Sequence, residues 1–378
     1  MTSKRILIVS GEPSGDLHAS NLVKDLKKLK PDIEFFGIGG KTSKEAGVNV
    51  VFDISYLSIV GLVDALKNIF TMAKVLKEIL AAIDAKKTDL AILVDYPGFN
   101  LRLAKELKKR NIPVVYYISP QVWAWGRDRV KIIKKCVTKM VVFFKFEELL
   151  YKTYDIDVEC VGHPLIDTVK PKYDKAWVFK NYGLSDGKTT IALLPGSRKS
   201  EVSSLLPAIV ETCKLINNKL GDVQYVLSKH PSLPLSLYEK AIESSGPKIA
   251  IAEGNTHDIV AASDFAIVAS GTATLETAIL ETPYVLVYKS DPVTYIAYKI
   301  VADIKHIGIA NIIAGKTIVP EFLQYEMTPE NVSAAVIDIL THEDKKSKMI
   351  ADLKDVRLSL GSPGASSRAA QAILPLLQ

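Results

Sequence analysis

Short apolar runs alternate with stretches of helical periodicity along the chain, and this alternation starts twice. In the first half, Ile6–Val9, Leu90–Val94 and Val114–Ile118 have the length and composition of buried strands. A turn containing Gly, Pro or Ser follows each run and leads into a helical stretch. The second half restarts with Ile191–Leu194 and continues with Phe265–Val268. Strand, loop and helix in this repeated order predict two α/β domains with parallel sheets.

The same pattern predicts where the domains divide. Four further strands are predicted at Val158–Val161, Val223–Leu227, Lys248–Ile251 and Tyr284–Tyr288. Residues 170–188, with a proline and mixed charge, have the composition of a linker. We therefore expect an N-terminal Rossmann-like domain at residues 1–168 and a C-terminal Rossmann-like domain at residues 169–345. Residues 346–378 are expected to be a helical segment able to pack back on the N-terminal domain.

The stretch Ile59–Ile83 predicts a helix with a wide apolar face. At 100° per residue, its apolar positions cover an arc of about 200°, whereas a stripe that faces a core needs little more than about 100°. Lys67 and Lys74 fall on one flank of the arc, as in helices that lie in a membrane interface. A helix packed on two sides, or one at a homodimer contact, is the alternative. The residues expected to face an anionic membrane are Leu62, Val63, Leu66, Ile69, Phe70 and Leu76.

The composition is that of a globular chain. Its 378 residues are 48% hydrophobic and 24% charged. The mean hydropathy of +0.16 favours apolar surface kept for a lipid or a partner. No run approaches the roughly 18–20 apolar residues needed to cross a bilayer. Gly11 and Pro13 interrupt the first apolar run before a secretory leader could form, so a cytoplasmic location is expected.

Charge and cysteine usage argue against several kinds of site. The net charge of +6 suits anionic lipid or sugar phosphate, and no aromatic-interleaved basic patch favours nucleic acid. Cys136, Cys160 and Cys213 are scattered, which indicates neither a disulfide framework nor a zinc site. Asp155 and Asp157 match the Asp-x-Asp pair with which many sugar transferases hold a divalent metal, but they precede a strand instead of ending one. No metal site is therefore predicted.

Candidate chemistry in the first half lies where predicted strands end, because ligands of open parallel sheets bind at the carboxyl ends of strands. Gly11–His18 follows the first strand and places Asp16 and His18 there. Their alternative roles are a helix N-cap and a helix-surface residue. Asp95 ends a later strand, where a carboxylate at the mouth of an apolar cleft can have a raised pKa and act as a base. Capping the helix that begins near Asn100 is its alternative role.

The loop Ser119–Arg129 carries two tryptophans beside two arginines. Such residues can line a pocket for a sugar and a phosphate. They can equally close the edge of a domain.

Two turns of the second half have the composition of anion sites. In Pro195–Val202, the guanidinium of Arg198 lies beside the unpaired N–H groups of a new helix. Ala269–Glu276 also joins a strand to a helix, and its small residues let a phosphate approach the backbone. Glu276 could accept hydrogen bonds from sugar hydroxyls. In the alternative, Thr272 or Thr274 caps the helix and Glu276 completes a capping box.

Seven segments in this order resemble the lipid A disaccharide synthases, inverting glycosyltransferases of the GT-B class. They are Gly11–His18, Asp95–Asn100, Ser119–Arg129, Gly162–Leu165, Leu193–Val202, Ser270–Glu276 and Asn311–Gln324. The resemblance implies an α/β, GT-B fold in which two Rossmann-like domains have parallel sheets facing a central cleft. It implies that residues 1–168 form the acceptor- and membrane-facing domain and residues 169–345 the UDP-sugar-binding domain. It also implies transfer of 2,3-diacylglucosamine from UDP-2,3-diacylglucosamine to 2,3-diacylglucosamine 1-phosphate, forming the β-1',6-linked disaccharide 1-phosphate and UDP.

The resemblance also implies residue roles. Asp95 is expected to deprotonate the acceptor 6-hydroxyl, with Asp16 or His18 as alternatives, while Arg198 holds the diphosphate and Glu276 the ribose. The resemblance implies no cofactor or metal, and it implies a peripheral location on the inner face of the inner membrane. The other expected substrate-binding residues are Gly11, Ser14, Gly15, Asn100, Gln121, Trp123, Gly196, Ser197, Glu201, Ser270, Gly271, Thr272, Ala273, Thr274, Asn311 and Gln324.

Two positions depart from the family pattern. Family members often have an aspartate where this chain has Gly98 and a proline where it has Lys145. Without the second carboxylate, more of any base role falls on Asp95. Two other functions share the sequence features: a soluble UDP-N-acetylglucosamine 2-epimerase, which has no use for an acyl-binding helix, and a non-catalytic sensor of nucleotide sugar or lipid.

Overall fold

The chain divides into two compact units. A computed structural model describes residues 3–54, 65–124, 126, 128–243, 246–289 and 305–377, with the backbone alone at 65–71. Unit 1 comprises residues 1–164 and 361–378, and unit 2 comprises residues 165–360.

Unit 1 is built on a seven-stranded sheet in which every neighbouring pair is parallel. Its strands are β1 (Arg5–Ser10), β2 (Glu34–Gly39), β3 (Val48–Asp53), β4 (Leu90–Val94), β5 (Val114–Tyr117), β6 (Lys139–Val142) and β7 (Val158–Cys160). The strand order is β3-β2-β1-β4-β5-β6-β7. The order reverses between β1 and β4, and open sheets bind their ligands at such a switch point.

Helices cover both faces of this sheet. They are α1 (Pro13–Leu29), α2 (Lys41–Glu45), α3 (Ala65–Lys86), α4 (Pro97–Lys109), α5 (Arg129–Cys136) and α6 (Lys145–Lys152). Alternate residues of β1 enter different cores: Leu7 packs in the same cluster as Ile79 of α3, and Ile8 in the same cluster as Leu22 of α1. A strand buried on both faces is apolar at almost every position, which is why β1, β4 and β5 appear in the sequence as continuous apolar runs.

Unit 2 contains a six-stranded parallel sheet in the order β10-β9-β8-β11-β12-β13. Its strands are β8 (Thr189–Leu194), β9 (Val223–Lys229), β10 (Ile249–Glu253), β11 (Phe265–Ala269), β12 (Tyr284–Tyr288) and β13 (Glu321–Leu323). Its helices are α7 (Leu165–Thr168), α8 (Lys175–Tyr182), α9 (Lys199–Leu220), α10 (Ser236–Ile242), α11 (Thr256–Ala262), α12 (Thr272–Ile279), α13 (Ile309–Ala314), α14 (Pro329–Thr341) and α15 (Glu343–Ser359). The prediction of two α/β domains with parallel sheets is confirmed.

The last helix, α16 (Ala365–Ile373), returns to unit 1 and packs against α1. The Arg368 guanidinium donates to the Val161 carbonyl at 2.8 Å and fixes this return. Only residues 361–378 join unit 1, so the predicted segment 346–378 began too early, since α15 belongs to unit 2. The division after residue 164 also precedes the predicted one after residue 168.

Residues 170–188, expected to be a linker, contain a helix. The Asp174 carboxylate caps α8 by accepting from the Trp177 N–H at 2.8 Å, and Gly183 ends the helix at a φ of +64°. Four strands were not among the predicted set: β2, β3, β6 and β13. The two glycines in β2 and the polar residues Asn49 and Asp53 in β3 hide these two strands from a search for continuous apolar runs.

Helix α3 buries one face of the predicted wide apolar arc. Ile79 is in the core of unit 1 and Leu76 is half-buried against that core, so the prediction that Leu76 faces a membrane is wrong. Ala73 and Lys77 are exposed. Leu62 and Val63 lie outside the described residues. No helix in the described ranges is both long and apolar enough to span a bilayer.

Candidate active site

A strained turn follows β4. Asp95 and Tyr96 have φ angles of +48° and +47°, in the left-handed region that residues other than glycine rarely adopt. The Asp95 N–H donates to the Tyr117 carbonyl at 3.0 Å. The Asp95 carbonyl accepts from the Tyr116 hydroxyl at 2.7 Å and from the Asn100 side-chain amide at 2.7 Å. Strand β5 and helix α4 therefore hold Asp95 in place.

This geometry changes the expected role of Asn100. Its side chain is fully buried and also donates to the Val94 carbonyl at 3.1 Å. Asn100 was expected to bind substrate, but the structure uses its amide to support the backbone beneath Asp95.

The Asp95 carboxyl is half-buried beside another acid. Burial raises its pKa above the ordinary value, and the charge of Glu12 raises it further, against a smaller opposing effect from the Tyr96 N–H. Glu12 precedes α1 just after β1, and Ser10 of β1 pairs with Val94 of β4. A carboxyl with a raised pKa binds a proton more strongly once ionised, which is what a general base requires.

Packing of the Tyr96 ring explains why residue 11 is a glycine. A Cβ at Gly11 would lie 2.2 Å from the Tyr96 ring, so only glycine lets this ring cross the turn. The Tyr96 hydroxyl lies 3.8 Å from Met72 Sδ of α3. Gly11 and Gly15 are buried, which contradicts the expectation that they contact substrate, whereas Ser14 is exposed.

Asp16 is a structural cap and not a base. It is 3% exposed, and its carboxylate accepts from the N–H groups of Gly40 at 2.7 Å and Thr42 at 3.1 Å. The hydroxyls of Thr42 and Ser43 also donate to it. Burial tends to raise the pKa of Asp16, but these hydrogen bonds outweigh burial and lower it. The alternative that Asp16 is the N-cap of its own helix is wrong, because Glu12 holds that position; the Asp16 carboxylate instead accepts from the N–H groups at the start of α2.

His18 lies in an aromatic cluster with His163, a residue for which the sequence suggested no role. The two imidazoles contact Phe143 edge-on, with centroid distances of 5.4 and 5.1 Å. Burial lowers the pKa of His18, and burial together with His18 lowers the pKa of His163 to about 3. Both rings are therefore neutral at pH 7, and His18 stays an alternative proton acceptor. The Gly-His-Pro segment was the available signal for His163.

Trp123 is held by a buried acid that the sequence analysis missed. Its indole N–H donates to the Glu147 carboxyl at 3.3 Å, and its ring packs edge-on against Phe146. Glu147 is 4% exposed, and burial raises its pKa to about 8. Gln121, in the same loop, is exposed. Periodicity in α6, which turns Glu147 inward, was the available signal.

The predicted Asp-x-Asp pair precedes β7. Asp155 lies 3.5 Å from Lys134, and Asp157 lies 3.9 Å from Lys139. The two carboxylates therefore pair with different lysines on the surface of unit 1.

The turn after β8 is closed by its own carboxylate. Glu201 accepts from the N–H groups of Ser197 at 3.0 Å and Arg198 at 3.2 Å. Gly196 has a φ of +116°, and a Cβ there would lie 2.6 Å from the Glu201 carboxylate. Glu201 therefore braces the loop, and the Ser197 N–H expected to bind diphosphate is already engaged. The Arg198 side chain is 80% exposed and pairs with Glu201 at 3.3 Å, so its guanidinium reaches solvent.

The turn after β11 presents small residues at the helix start. Gly271 is the N-cap of α12, with a φ of +147° and no side-chain capping bond. Gly271 and Thr272 are exposed, and Ser270 and Ala273 are partly exposed. Thr274 is 1% exposed, and its hydroxyl donates to the Gly271 carbonyl at 2.8 Å. Thr274 was expected to bind substrate, but its side chain is not available to a ligand.

The capping-box alternative for Glu276 is wrong. With Gly271 as N-cap, a capping box would need its acid at Thr274, three residues on. The Glu276 carboxylate instead lies 3.7 Å from His257 Nε2 of α11. Glu276 is thus free of a capping role and stays partly exposed beside the Gly271 turn.

Asn311 and Gln324, expected to line the cleft, are both buried. The Asn311 side chain accepts from the N–H groups of Ile318 at 2.8 Å and Val319 at 2.9 Å, and it donates to Glu321 at 2.7 Å. It therefore ties α13 to β13. Gln324 is 7% exposed and has a φ of +51° directly after β13.

Known sequences match the whole chain. A family model described as lipid-A-disaccharide synthetase matches residues 6–375. The lipid-A-disaccharide synthase of Syntrophus aciditrophicus is 41% identical over 379 residues, covering 100% of this chain and 99% of the relative. That of Myxococcus xanthus is 40% identical over 374 residues, covering 99% and 97%.

Solved structures share the fold. UDP-GlcNAc 2-epimerase from Neisseria meningitidis, bound to UDP-GlcNAc, has a TM-score of 0.60 at 11% identity and covers 99% of both chains. MurG of Acinetobacter baumannii has a TM-score of 0.61 at 14% identity, covering 98% of this chain and 99% of that one. At these identities the similarity concerns the fold alone, which is that of GT-B glycosyltransferases and epimerases. The sequence matches decide between them: the chain belongs to the lipid-A-disaccharide synthase family.

Proposed function

We propose that the protein is an inverting glycosyltransferase that transfers 2,3-diacylglucosamine from its UDP donor to 2,3-diacylglucosamine 1-phosphate. The products are the β-1',6-linked disaccharide 1-phosphate and UDP. The observation that carries the proposal is Asp95, a carboxyl of raised pKa at the sheet switch point of a chain from this family. Such a group can take the proton from the acceptor 6-hydroxyl as that oxygen attacks the donor sugar.

Unit 2 supplies groups suited to the UDP of the donor. The exposed guanidinium of Arg198 would hold the diphosphate, together with the small residues of the Ser270–Ala273 turn. Glu276 would accept hydrogen bonds from the ribose hydroxyls. Fixed positive charge at the diphosphate stabilises UDP as it leaves, because the negative charge on it grows as the sugar bond breaks.

Product analysis tests the function. The purified protein is incubated with UDP-2,3-diacylglucosamine and 2,3-diacylglucosamine 1-phosphate, and the lipid and nucleotide products are separated. Disaccharide phosphate and UDP in equal amounts are expected. An epimerised sugar from UDP-N-acetylglucosamine would instead assign a 2-epimerase, and donor binding without product would assign a sensor.

Arg198→Ala is expected to weaken UDP binding by about 1.5–3 kcal/mol, the contribution of a charge-assisted hydrogen bond. Isothermal titration calorimetry measures the change. Arg357→Ala is the matched control, because Arg357 is an arginine of unit 2 that pairs with Glu281 at 2.9 Å. Equal UDP affinities of wild type and Arg198→Ala would exclude Arg198 from the donor site.

We also propose that the stretch around α3 binds an anionic membrane surface, on which both acylated substrates would lie. At 100° per residue, the sequence places Leu66 and Phe70 in line with Ala73 and Lys77, which are exposed. On the side of α3 that faces away from the core, the apolar side chains would insert among the acyl chains of the lipid. Lys77 would contact the anionic headgroups.

The double change Leu66→Ser and Phe70→Ser is expected to release the protein from vesicles that contain anionic lipid. Each of these side chains contributes up to about 1.5–3 kcal/mol when buried. Vesicle flotation measures binding, and Leu358→Ser, at a position 61% exposed on α15, is the control. Unchanged flotation would contradict membrane docking, and a changed sedimentation coefficient would assign the residues to a subunit contact.

A further inference from the structure

We propose that His257 is a positioning residue of the donor site, which orients the Glu276 carboxylate and makes UDP binding depend on pH. The inference rests on the proposed function, in which Glu276 is the ribose ligand. It adds a residue from α11, whereas the sequence pattern pointed only to the β8 and β11 turns.

His257 and Glu276 form a half-buried pair between neighbouring helices. The distance from His257 Nε2 to Glu276 Oε2 is 3.7 Å, and the side chains are 29% and 24% exposed. Pairs at this depth are screened less by solvent and salt than pairs on an open surface. The imidazole can therefore influence where the carboxylate lies.

Helix α11 is anchored by polar contacts on both sides of His257. The Asn255 amide donates to the Tyr182 hydroxyl at 2.8 Å, and the Thr256 and Ser228 hydroxyls are 2.7 Å apart. The next residue, Asp258, accepts from the N–H groups of Lys172 and Tyr173, and Val260 accepts from the Thr282 hydroxyl at 2.9 Å. Three side chains and one backbone carbonyl, all within three residues of His257, hold this segment and give the imidazole a defined location.

Contact at one carboxylate oxygen leaves the other for the ligand. His257 approaches Oε2, so Oε1 of Glu276 can accept a ribose hydroxyl. Holding the carboxylate in one rotamer before binding lowers the conformational entropy that binding must remove. Loss of the imidazole should therefore weaken UDP binding even if Glu276 itself is intact.

The charge on His257 follows from its neighbours. The contact with the Glu276 carboxylate raises the pKa of His257, burial opposes the rise, and the charges of Glu276 and Asp258 add to it. At the ends of the adjoining strands β9 and β10, Lys229 and Glu253 pair with each other at 2.9 Å. Because the pKa is raised, the imidazolium persists above the ordinary range and is lost as pH rises through the raised value. Orientation of Glu276 is therefore strongest at low pH.

Calorimetric UDP titrations from about pH 6 to pH 9, the range that brackets histidine ionisation, test the inference. At the acid end, wild type is expected to bind UDP about 3- to 5-fold more tightly than His257→Ala. At the alkaline end, the two proteins should bind UDP equally. Ionisation of the UDP phosphate is common to both proteins and cancels in the ratio. His257→Gln, which keeps an N–H donor without a titrating charge, should recover part of the affinity. The ratio of its UDP affinity to that of His257→Ala should not change with pH.

Two further variants separate the possible failures. His342→Ala removes another histidine of unit 2 that pairs with a carboxylate, Asp338, at 3.1 Å, and it should bind like wild type. Glu276→Ala should bind UDP weakly at every pH. If Glu276→Ala binds normally, the proposed donor site fails. If Glu276→Ala binds weakly but His257→Ala matches wild type throughout, the donor site stands and the role of His257 is overturned.

Discussion

Asp95→Asn is expected to lower the kcat of disaccharide formation by about 10²- to 10⁴-fold, the usual contribution of a general base. Asparagine has the same shape and tolerates the φ of +48° at this position, so the turn and its bonds to Tyr116 and Asn100 should persist. The loss should therefore appear in turnover with little change in UDP affinity. Initial rates of UDP release, with both substrates saturating, measure it.

Asp155→Asn is the matched control. Asp155 also has a positive φ, of +53°, but its side chain is 90% exposed on the surface of unit 1. Its turnover should equal that of wild type. If Asp95→Asn retains near-normal turnover, Asp95 is not the base, and His18 becomes the first candidate.

The pH profile gives a second readout of the same residue. Because burial and the charge of Glu12 raise the pKa of Asp95, the acid limb of kcat/KM should lie above the ordinary aspartate range. Activity is lost as pH falls through that raised pKa, since the base becomes protonated. Glu12→Gln removes the neighbouring charge and should move the limb to lower pH. If the acid limb of kcat/KM lies at the same pH in Glu12→Gln as in wild type, Glu12 does not raise the pKa of Asp95.

Asp16→Ala is expected to destabilise unit 1 by about 3–5 kcal/mol. The change leaves the donors of Gly40, Thr42 and Ser43 without their acceptor, and each buried unpaired donor costs about 1–3 kcal/mol. Urea unfolding in a Trp177→Phe background measures the effect, because the remaining tryptophans, Trp123 and Trp125, belong to unit 1.

The sign of its pH dependence follows from the lowered pKa. The Asp16 contribution is fully present above the unfolded-state pKa, near 3.8, and is lost as pH falls through the lower folded-state value. Asp16→Ala should therefore unfold earlier than wild type at neutral pH, and the gap should narrow in strong acid. Asp128→Ala, at a side chain 92% exposed, should change stability by less than about 0.5 kcal/mol. Equal urea midpoints for Asp16→Ala and wild type would contradict the capping role.

The positions of the turns at strand ends were predictable from sequence. How deeply individual side chains are buried was not. Asp95 and Arg198 were placed correctly at the ends of β4 and β8 because apolar runs and small-residue turns mark those points locally. Periodicity also predicted the apolar arc of α3. Which part of that arc meets the core depends on the strands beneath it, and Leu76 was consequently assigned to the wrong side.

The sequence by itself determined the alternation of strands and helices apart from β2, β3, β6 and β13, the family, and the turns that carry polar residues, since all three depend on neighbours along the chain. Only the tertiary structure decided which of those polar residues remain available to a ligand. Asp16 bonds to Gly40, 24 residues away, and its donors come from another helix start. Glu276 was released from a capping role and placed against His257, on a different helix. Hydrogen-bond partners that are distant in sequence leave no local pattern, and for that reason these assignments required the fold.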